Sequence, residues 1–188
     1  MSPRTQYHRH VEAAQNGEAQ SKHAPEADAA AAAAEPAPPA RFDTLPLDAK
    51  LLRAVADQGY MTMTPIQAKA IPIVLAGRDV MGAAQTGTGK TAAFGLPMID
   101  RLLVREQRPR TPKAPRGLVL VPTRELAAQV HQALVQYGIP AHLRCAVVIG
   151  GAGMRQQQEA LRRGVDIVVA TPGRLIDHME QRSVDLSR

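Results

Sequence analysis

The sequence of 188 residues contains a single cysteine, Cys145, so the chain cannot form an internal disulfide. This low cysteine content is typical of proteins in a reducing compartment. Cys145 lies in an apolar run, which predicts a buried, inert thiol rather than a nucleophile. No apolar run approaches the length needed to span a membrane, and the N-terminus lacks the apolar segment of a secretory signal. These absences lead us to expect a cytoplasmic protein.

Aromatic residues are also scarce, with no tryptophan, three tyrosines and two phenylalanines. Two of these side chains, Phe42 and Tyr60, lie a short distance before Gln67. A glutamine amide can match N6 and N7 of adenine, and an aromatic ring can stack on the base. Gln67 also follows Thr64 at the spacing of a capping box, for a helix that would begin at Pro65. Adenine recognition and helix capping are therefore both open for Gln67.

Charge is distributed unevenly along the chain. The net charge is +6, but residues 1–40 carry three basic and five acidic side chains, so the remainder carries +8. This excess suits a polyanionic partner, although a basic surface also aids solubility. A basic, proline-rich stretch at residues 105–116 predicts an exposed loop, with RNA steering as the alternative. Residues 1–40, rich in alanine and proline, predict a disordered tail before a folded domain over residues 41–188.

The most informative stretch is residues 84–91, Ala-Gln-Thr-Gly-Thr-Gly-Lys-Thr, which we call the phosphate loop. It follows an apolar run at residues 79–83 that predicts a buried strand, and it precedes a predicted helix, which is the context a phosphate-binding loop needs. Glycines let backbone N–H groups converge on an anion, and the helix N-terminus adds partial positive charge. Lys90 can reach the β- and γ-phosphates, and the Thr91 hydroxyl can bind Mg²⁺. Ala84 stands where the general pattern has its first glycine.

Further apolar runs of strand length occur at residues 117–121, 145–149 and 166–170, with segments of helical period between them. Strands alternating with helices indicate an α/β fold with a parallel sheet and flanking helices. The helix after residues 117–121 is predicted to have Leu126, Val130, Ala133 and Leu134 on its apolar face, and the last helix is predicted to include Leu175, Ile176 and Met179. The histidines His131, His142 and His178 are scattered and show no recognisable partners.

The carboxyl ends of parallel strands share one edge of a sheet, where ligands of open α/β folds bind. Three segments besides the phosphate loop follow predicted strands: residues 122–125, 150–151 and 171–174. Thr123 and Thr171 are good helix N-caps, and capping alone could explain them. A helix N-terminus that carries threonine and arginine is also a phosphate site. Two such sites beside a diglycine turn could follow a nucleic-acid strand.

In this order and spacing, the segments resemble those of the DEAD-box ATP-dependent RNA helicases, with the bacterial RhlE-like branch as the most similar. The resemblance covers residues 42–188. Met63 stands where the family usually has proline, which we expect to loosen the turn before Thr64. The matching segments are Phe42, residues 59–67 (Q motif), 84–91 (motif I), 122–127 (motif Ia), Gly150-Gly151, and 171–174 (motif Ib).

The resemblance implies the first of two RecA-like P-loop NTPase domains, with ATP and Mg²⁺ as cofactors. It implies that Gln67 reads adenine, that Tyr60 stacks on the base with Phe42 in support, and that Lys90 and Thr91 are catalytic, with Thr91 at the metal. The implied nucleotide-binding residues are Phe42, Tyr60, Thr64, Gln67, Gln85, Thr86, Gly87, Thr88, Gly89, Lys90 and Thr91. The implied RNA-binding residues are Pro122, Thr123, Arg124, Gly150, Gly151, Thr171, Pro172, Gly173 and Arg174. Contact of this kind to the RNA backbone would be largely independent of base sequence.

The family's Asp-Glu-Ala-Asp motif is expected to begin a few residues beyond Arg188. The resemblance also implies a second RecA-like domain, which supplies arginine fingers. We therefore expect this polypeptide to be the N-terminal part of an RNA helicase and to bind nucleotide without turnover. Two alternatives remain: another P-loop ATPase, or a non-catalytic module that holds nucleotide or RNA.

Overall fold

A computed structural model describes residues 38–104 and 111–187. The predicted tail lies outside the described residues except for positions 38–40, as do residues 105–110 of the predicted basic loop. Short 3₁₀ turns occur at Phe42–Thr44 and Ile139–Ala141. In chain order the described elements are α1 (Ala49–Asp57), α2 (Pro65–Leu75), α3 (Lys90–Val104), β1 (Gly117–Leu120), α4 (Arg124–Gly138), β2 (Cys145–Val148), α5 (Met154–Arg162), β3 (Ile167–Ala170) and α6 (Pro172–Glu180).

The sheet in the described part consists of three parallel strands in the order β1-β3-β2. β3 is central, and its Val168 pairs with Leu118 of β1 and with Ala146 of β2. All four residues of β3 are buried, as expected of a strand that is covered on both faces. Successive side chains of a strand point to opposite faces, so β3 contributes to two separate cores.

Helices cover both faces of this sheet. Ile167 and Val169 share a core with side chains of α1 to α4, whereas Val168 and Ala170 share a second core with α5 and α6. The predicted parallel α/β fold with flanking helices is therefore confirmed. Fully buried anchors from the flanking helices are Leu51 of α1, Ile71 of α2, Leu96 of α3, Leu134 of α4 and Leu161 of α5.

The strand predicted at residues 79–83 is not formed. The backbone there is irregular, Val80 is exposed, and the Met81 side chain is fully exposed. A strand needs a neighbour to pair its backbone N–H and C=O groups, and none of the strands in the described ranges pairs with this segment. The apolar pattern indicated a segment that suits a strand, but the pattern carries no information about a partner.

One position of a predicted helix face is also wrong. Leu126 of α4 is exposed, whereas Ala127, Val130 and Leu134 are buried. The predicted last helix is formed as α6, in which Leu175 and His178 are buried while Ile176 and Met179 are exposed. Hydrophobicity alone misassigned Leu126, because the buried stripe of a helix is set by where the helix docks on the sheet.

Candidate functional site

The phosphate loop leads directly into α3, whose first residue is Lys90. Gly87 and Gly89 have φ angles of 80° and 84°, in the left-handed region that glycine adopts without strain. The Lys90 ammonium donates to the carbonyl oxygens of Ala84 (2.5 Å) and Gln85 (2.6 Å). The loop therefore curls around the end of its own lysine.

The other residues of the loop fit an anion-binding cradle. The Thr88 hydroxyl donates to the Gln85 carbonyl at 2.8 Å, which closes the loop upon itself. Gln85 and Thr86 are exposed, and Thr91 lies half-buried in the first turn of α3. The first N–H groups of a helix have no partner within the helix and point toward a ligand at this end. The cradle and its lysine have the chemistry that a nucleotide phosphate requires.

Gln67 connects α2 to this loop. Its side chain is buried, with only 5% exposed. The amide oxygen accepts the Thr64 N–H at 2.9 Å within the capping box, and the amide nitrogen donates to the Gly89 carbonyl at 3.1 Å. The Thr64 hydroxyl donates to the Thr88 carbonyl at 2.8 Å. The predicted capping box is therefore confirmed, and adenine recognition by Gln67 stays a prediction.

Gly89 itself leaves no room for a side chain. A Cβ at this position would overlap the amide of Gln67. The close approach of the loop backbone to α2 and the left-handed φ angle both require glycine here.

Phe42 and Tyr60 line one small cavity of about 110 Å³, together with Leu52 and Val55 of α1. The segment that carries Phe42 and the segment that carries Tyr60 are joined by a backbone hydrogen bond, in which the Met63 N–H donates to the Ala40 carbonyl at 2.7 Å. Phe42 is buried, while about half of the Tyr60 side chain is exposed. The structure thus brings these two predicted residues together, with the accessible ring being that of Tyr60.

Tyr137, a buried residue near the end of α4, is a neighbour of Tyr60. Burial raises the pKa of Tyr137, and the nearby Tyr60 adds to this shift.

A second site lies where β1, β2 and β3 end. It is an open concavity of about 430 Å³, and seven of the nine predicted RNA-binding residues line it. Arg124 begins α4, and Arg174 lies in the first turn of α6. The lining residues are Pro122, Thr123, Arg124, Glu125, Gly150, Thr171, Gly173 and Arg174.

Both arginines of the concavity contact the loop between β2 and α5, residues 149–153, which we call the diglycine loop. Arg124 Nη1 donates to the Gly150 carbonyl at 3.3 Å, and Arg174 Nη1 donates to the Ala152 carbonyl at 2.9 Å. Gly151 has a φ angle of 79°, and a Cβ there would overlap the Arg124 guanidinium. The arginines and the diglycine loop therefore form one continuous surface.

Glu125, a carboxylate that also lines the concavity, was not among the predicted site residues. Hydrogen bonds from its own backbone N–H and from Thr123 lower the pKa of Glu125. Glu125 lies in the first turn of α4, which is capped by the Thr123 hydroxyl accepting the Leu126 N–H at 3.2 Å. Its place in the first helical turn was a usable signal, because acidic residues stabilise helix N-termini.

Cys145 is only partly buried, in contrast to the predicted buried position, while its pKa agrees with the predicted inert thiol. Burial raises its pKa to about 12, so the reactive thiolate is rare at neutral pH. Among the described helices, none combines the length and the apolar character needed to cross a membrane.

A sequence model of the DEAD/DEAH box helicase family matches residues 64–188. The chain is 49% identical over 150 residues to the ATP-dependent RNA helicase DeaD of Mycobacterium tuberculosis, a match that covers 79% of this chain and 26% of the relative. It is 46% identical over 144 residues to the ATP-dependent RNA helicase RhlB of Xanthomonas axonopodis pv. citri, covering 76% of this chain and 25% of that protein. It is 49% identical over 146 residues to the ATP-dependent rRNA helicase rrp3 of Emericella nidulans, a match that covers 78% of this chain and 30% of that protein.

The chain thus spans about a quarter of the length of these relatives. Their names do not include RhlE, so the closer similarity to that branch stays a prediction. The family match extends from the capping threonine of α2 through the phosphate loop and the concavity to α6. The chain therefore belongs to the DEAD/DEAH box helicase family.

Proposed function

We propose that this chain is the nucleotide-binding and RNA-contacting N-terminal part of an ATP-dependent RNA helicase. The observation that carries the proposal is the concavity, because two arginines, two helix N-termini and a diglycine loop converge there on a surface suited to phosphates. The names of the relatives, all RNA helicases, support RNA as the polyanion.

ATP would be held at the phosphate loop. Lys90 would contact the phosphates, and residues 85–89 would surround them with backbone N–H groups. Thr91 would hold Mg²⁺, which when bound neutralises charge on the phosphates. We assign Gln67 and Tyr60 to the adenine, with Phe42 packed beneath; the contact from Gln67 to Gly89 would connect base recognition to the phosphate cradle.

RNA would lie along the concavity with its backbone toward the protein. A guanidinium has five N–H donors, so Arg124 and Arg174 can each hold a loop carbonyl and still offer donors to a phosphate. Residues 122–125, the diglycine loop and residues 171–174 present no aromatic ring to the concavity, which supports backbone contact over base stacking.

In the whole protein we assign this chain to the first of two RecA-like domains, preceded by a tail at residues 1–40. The complete enzyme would couple ATP hydrolysis to local unwinding of RNA duplexes. A cytoplasmic location agrees with the single, inert cysteine.

The proposal is tested by the affinity of the chain for a fluorescein-labelled oligouridine, measured by anisotropy over a range of salt concentrations. We expect weak binding that falls steeply with salt, since phosphate contacts release counterions. Arg124→Ala and Arg174→Ala should each weaken binding by about tenfold, as expected for the loss of a charged hydrogen bond.

The matched control is Arg53→Ala, which removes an exposed arginine from α1. It should change the affinity by less than about twofold, since single exposed charges contribute little. An oligoadenine of the same length should respond to the mutations in the same way. Equal affinities of wild type and both concavity variants would refute the assignment of this surface to RNA.

A further inference from the structure

A buried chain of polar side chains lies behind the diglycine loop. His178 of α6 is completely buried, and Gln157 of α5 and Ser183 are each 7% exposed. The His178 ring contacts Ser183 Oγ through Nδ1 at 2.7 Å and Gln157 Oε1 through Nε2 at 3.1 Å. Gln157 Nε2 donates to the Ile149 carbonyl at 2.9 Å. His178 therefore has partners, contrary to the expectation from sequence.

The identity of each partner sets the direction of every hydrogen bond. The Ile149 carbonyl can only accept, so the Gln157 amide nitrogen faces it and the amide oxygen faces His178. That oxygen also only accepts, so His178 Nε2 must carry a hydrogen. The Ser183 hydroxyl, which lies 3.0 Å from the His178 carbonyl and 2.7 Å from Nδ1, can donate to the ring nitrogen.

These directions suit a neutral imidazole with its hydrogen on Nε2. The His178 carbonyl needs no hydroxyl donor, since it already accepts the Ser183 N–H at 2.9 Å. Burial, with nearby Arg174, lowers the pKa of His178, while Asp177 acts weakly in the other direction. The uncharged partners Gln157 and Ser183 come from the other segments packed against the ring.

Three helices hold three carbonyls of the diglycine loop. Gln157 of α5 holds Ile149, Arg124 of α4 holds Gly150, and Arg174 of α6 holds Ala152. The two arginines belong to the phosphate-contacting surface and are partly accessible to solvent, so a polyanion competes for their donors. The Gln157 side chain, in contrast, is buried, so a ligand in the concavity cannot compete for its hydrogen bond to the Ile149 carbonyl.

We propose that Ser183, His178 and Gln157 form a positioning relay, in which the neutral imidazole aligns the Gln157 amide and the amide sets the diglycine loop for the RNA backbone. The inference rests on the proposed RNA function of the concavity. It assigns a role to three residues that touch no RNA themselves. Gln157 acts through the loop carbonyl, and His178 acts through Gln157.

The central test compares Gln157→Met with its neighbour Gln158→Met in the 188-residue chain. Methionine keeps a similar length and removes both polar ends. Gln158 is the matched control, because its amide bonds to Gln181 on the surface at 2.8 Å. We expect Gln157→Met to weaken oligouridine binding by about three- to tenfold, the equivalent of one hydrogen bond, with ADP affinity unchanged. Gln158→Met should change neither affinity.

Two further readouts separate positioning from general stability. Hydrogen exchange of the amides at residues 150–152 should be faster in Gln157→Met and unchanged in Gln158→Met. Nitrogen NMR at pH 7 should find His178 Nδ1 unprotonated and Nε2 protonated. His178→Gln retains a donor toward Gln157 and should keep RNA affinity, whereas His178→Leu should lose it to the same extent as Gln157→Met.

The relay is overturned if folded Gln157→Met binds oligouridine as well as wild type, or if His178 is a charged imidazolium at pH 7. If Gln157→Met does not fold, the His178→Gln and His178→Leu pair decides the matter, and equal RNA affinity of that pair overturns the relay. If wild type binds no oligouridine while Gln157→Met still speeds exchange in the diglycine loop, the proposed RNA function falls and the positioning of the loop stands.

Discussion

Single residues of the phosphate loop bind the loop's own backbone as well as the ligand we assign to it. Lys90 holds the Ala84 and Gln85 carbonyls, and Gln67 holds the Gly89 carbonyl from the neighbouring helix. Each of these side chains therefore shapes the cradle in addition to any direct contact. Mutations at these positions are expected to affect both stability and binding, so both quantities must be measured.

Lys90→Ala should weaken ADP binding by about tenfold or more, because a hydrogen bond to a charged group contributes about 1.5–3 kcal/mol. Isothermal titration calorimetry measures the change. Lys69→Ala, which removes an exposed lysine from α2, is the control and should bind as wild type. Equal affinity of Lys90→Ala and wild type would exclude Lys90 from the phosphate site.

Gln67→Ala separates the two roles that sequence left open. Loss of the amide leaves the Thr64 N–H and the Gly89 carbonyl without this partner, so the melting temperature should fall. If Gln67 also reads adenine, the preference for ADP over GDP in a competition assay should fall as well. Gln129→Ala, at an exposed position of α4, should change neither quantity. A lower melting temperature with unchanged base preference would leave only the structural role.

At the level of elements, buried polar contacts tie the strands and helices at both ends of the sheet. Asp166, just before β3, binds Arg116 Nη2 at 2.6 Å and accepts the Arg144 N–H at 2.8 Å, which connects the starts of all three strands. Removing one partner of a buried ion pair typically costs about 3–5 kcal/mol. At the opposite end, His178 and Gln157 tie α6 and α5 to the loop after β2.

The His178 contacts make stability depend on pH. The pKa of His178 in the folded chain lies below its ordinary value of 6.5, so the unfolded chain binds the proton more readily. The contribution of neutral His178 to the free energy of unfolding should therefore be fully present above pH 6.5. It should decline as the pH falls from 6.5 through the lower pKa of His178 in the folded chain. Melting curves at pH 7.5 and 5.5 should show a larger loss for wild type than for His178→Gln, which cannot titrate. Parallel pH dependence of the two proteins would contradict this assignment.

At the scale of the whole molecule, two sites lie on one α/β framework. The phosphate loop begins α3, and the concavity lies between the starts of α4 and α6. The charge of +8 outside residues 1–40 favours a polyanionic partner, and the concavity is the surface to which we assign that partner. Neither site alone would distinguish a helicase from a simple nucleotide-binding or RNA-binding module, but their combination does agree with the family match.

Turnover by the 188-residue polypeptide is expected to be absent. Phosphoryl transfer needs metal-organising carboxylates and a positive charge on the departing phosphate, and an arginine from a partner domain is associated with rate factors of about 10³–10⁵. The resemblance assigns these groups to an Asp-Glu-Ala-Asp motif and to a second RecA-like domain, and residues 1–188 contain no Asp-Glu-Ala-Asp run. Phosphate release with saturating oligouridine and Mg²⁺-ATP is the assay, with Lys90→Ala as the background. RNA-stimulated release that disappears in Lys90→Ala would prove the expectation wrong.

Features that depend on residues close together in the chain could be predicted from the amino-acid sequence. Thr64-Pro65 begins α2, Thr123 caps α4, and the glycines of the phosphate loop adopt left-handed φ angles immediately before α3. Helix caps, glycine turns and apolar periodicity involve residues only a few positions apart, so they can be predicted from the amino-acid sequence. The motifs that indicated the family are short for the same reason and could also be found in the sequence.

Contacts between groups that are distant in the chain depend on the folded structure and could not be predicted. Residues 79–83 have the composition of a strand, yet pairing depends on a neighbouring strand that local pattern cannot specify. Gln67 reaches Gly89, and His178 reaches Gln157, across more than twenty positions of chain. A buried amide or imidazole is stable only when its partners are in place. The packing of α2 on α3 brings together the partners of Gln67, and α5 and α6 bring together those of His178. The contacts among Ser183, His178 and Gln157 behind the diglycine loop therefore depend on the fold, and no pattern in the sequence predicts them.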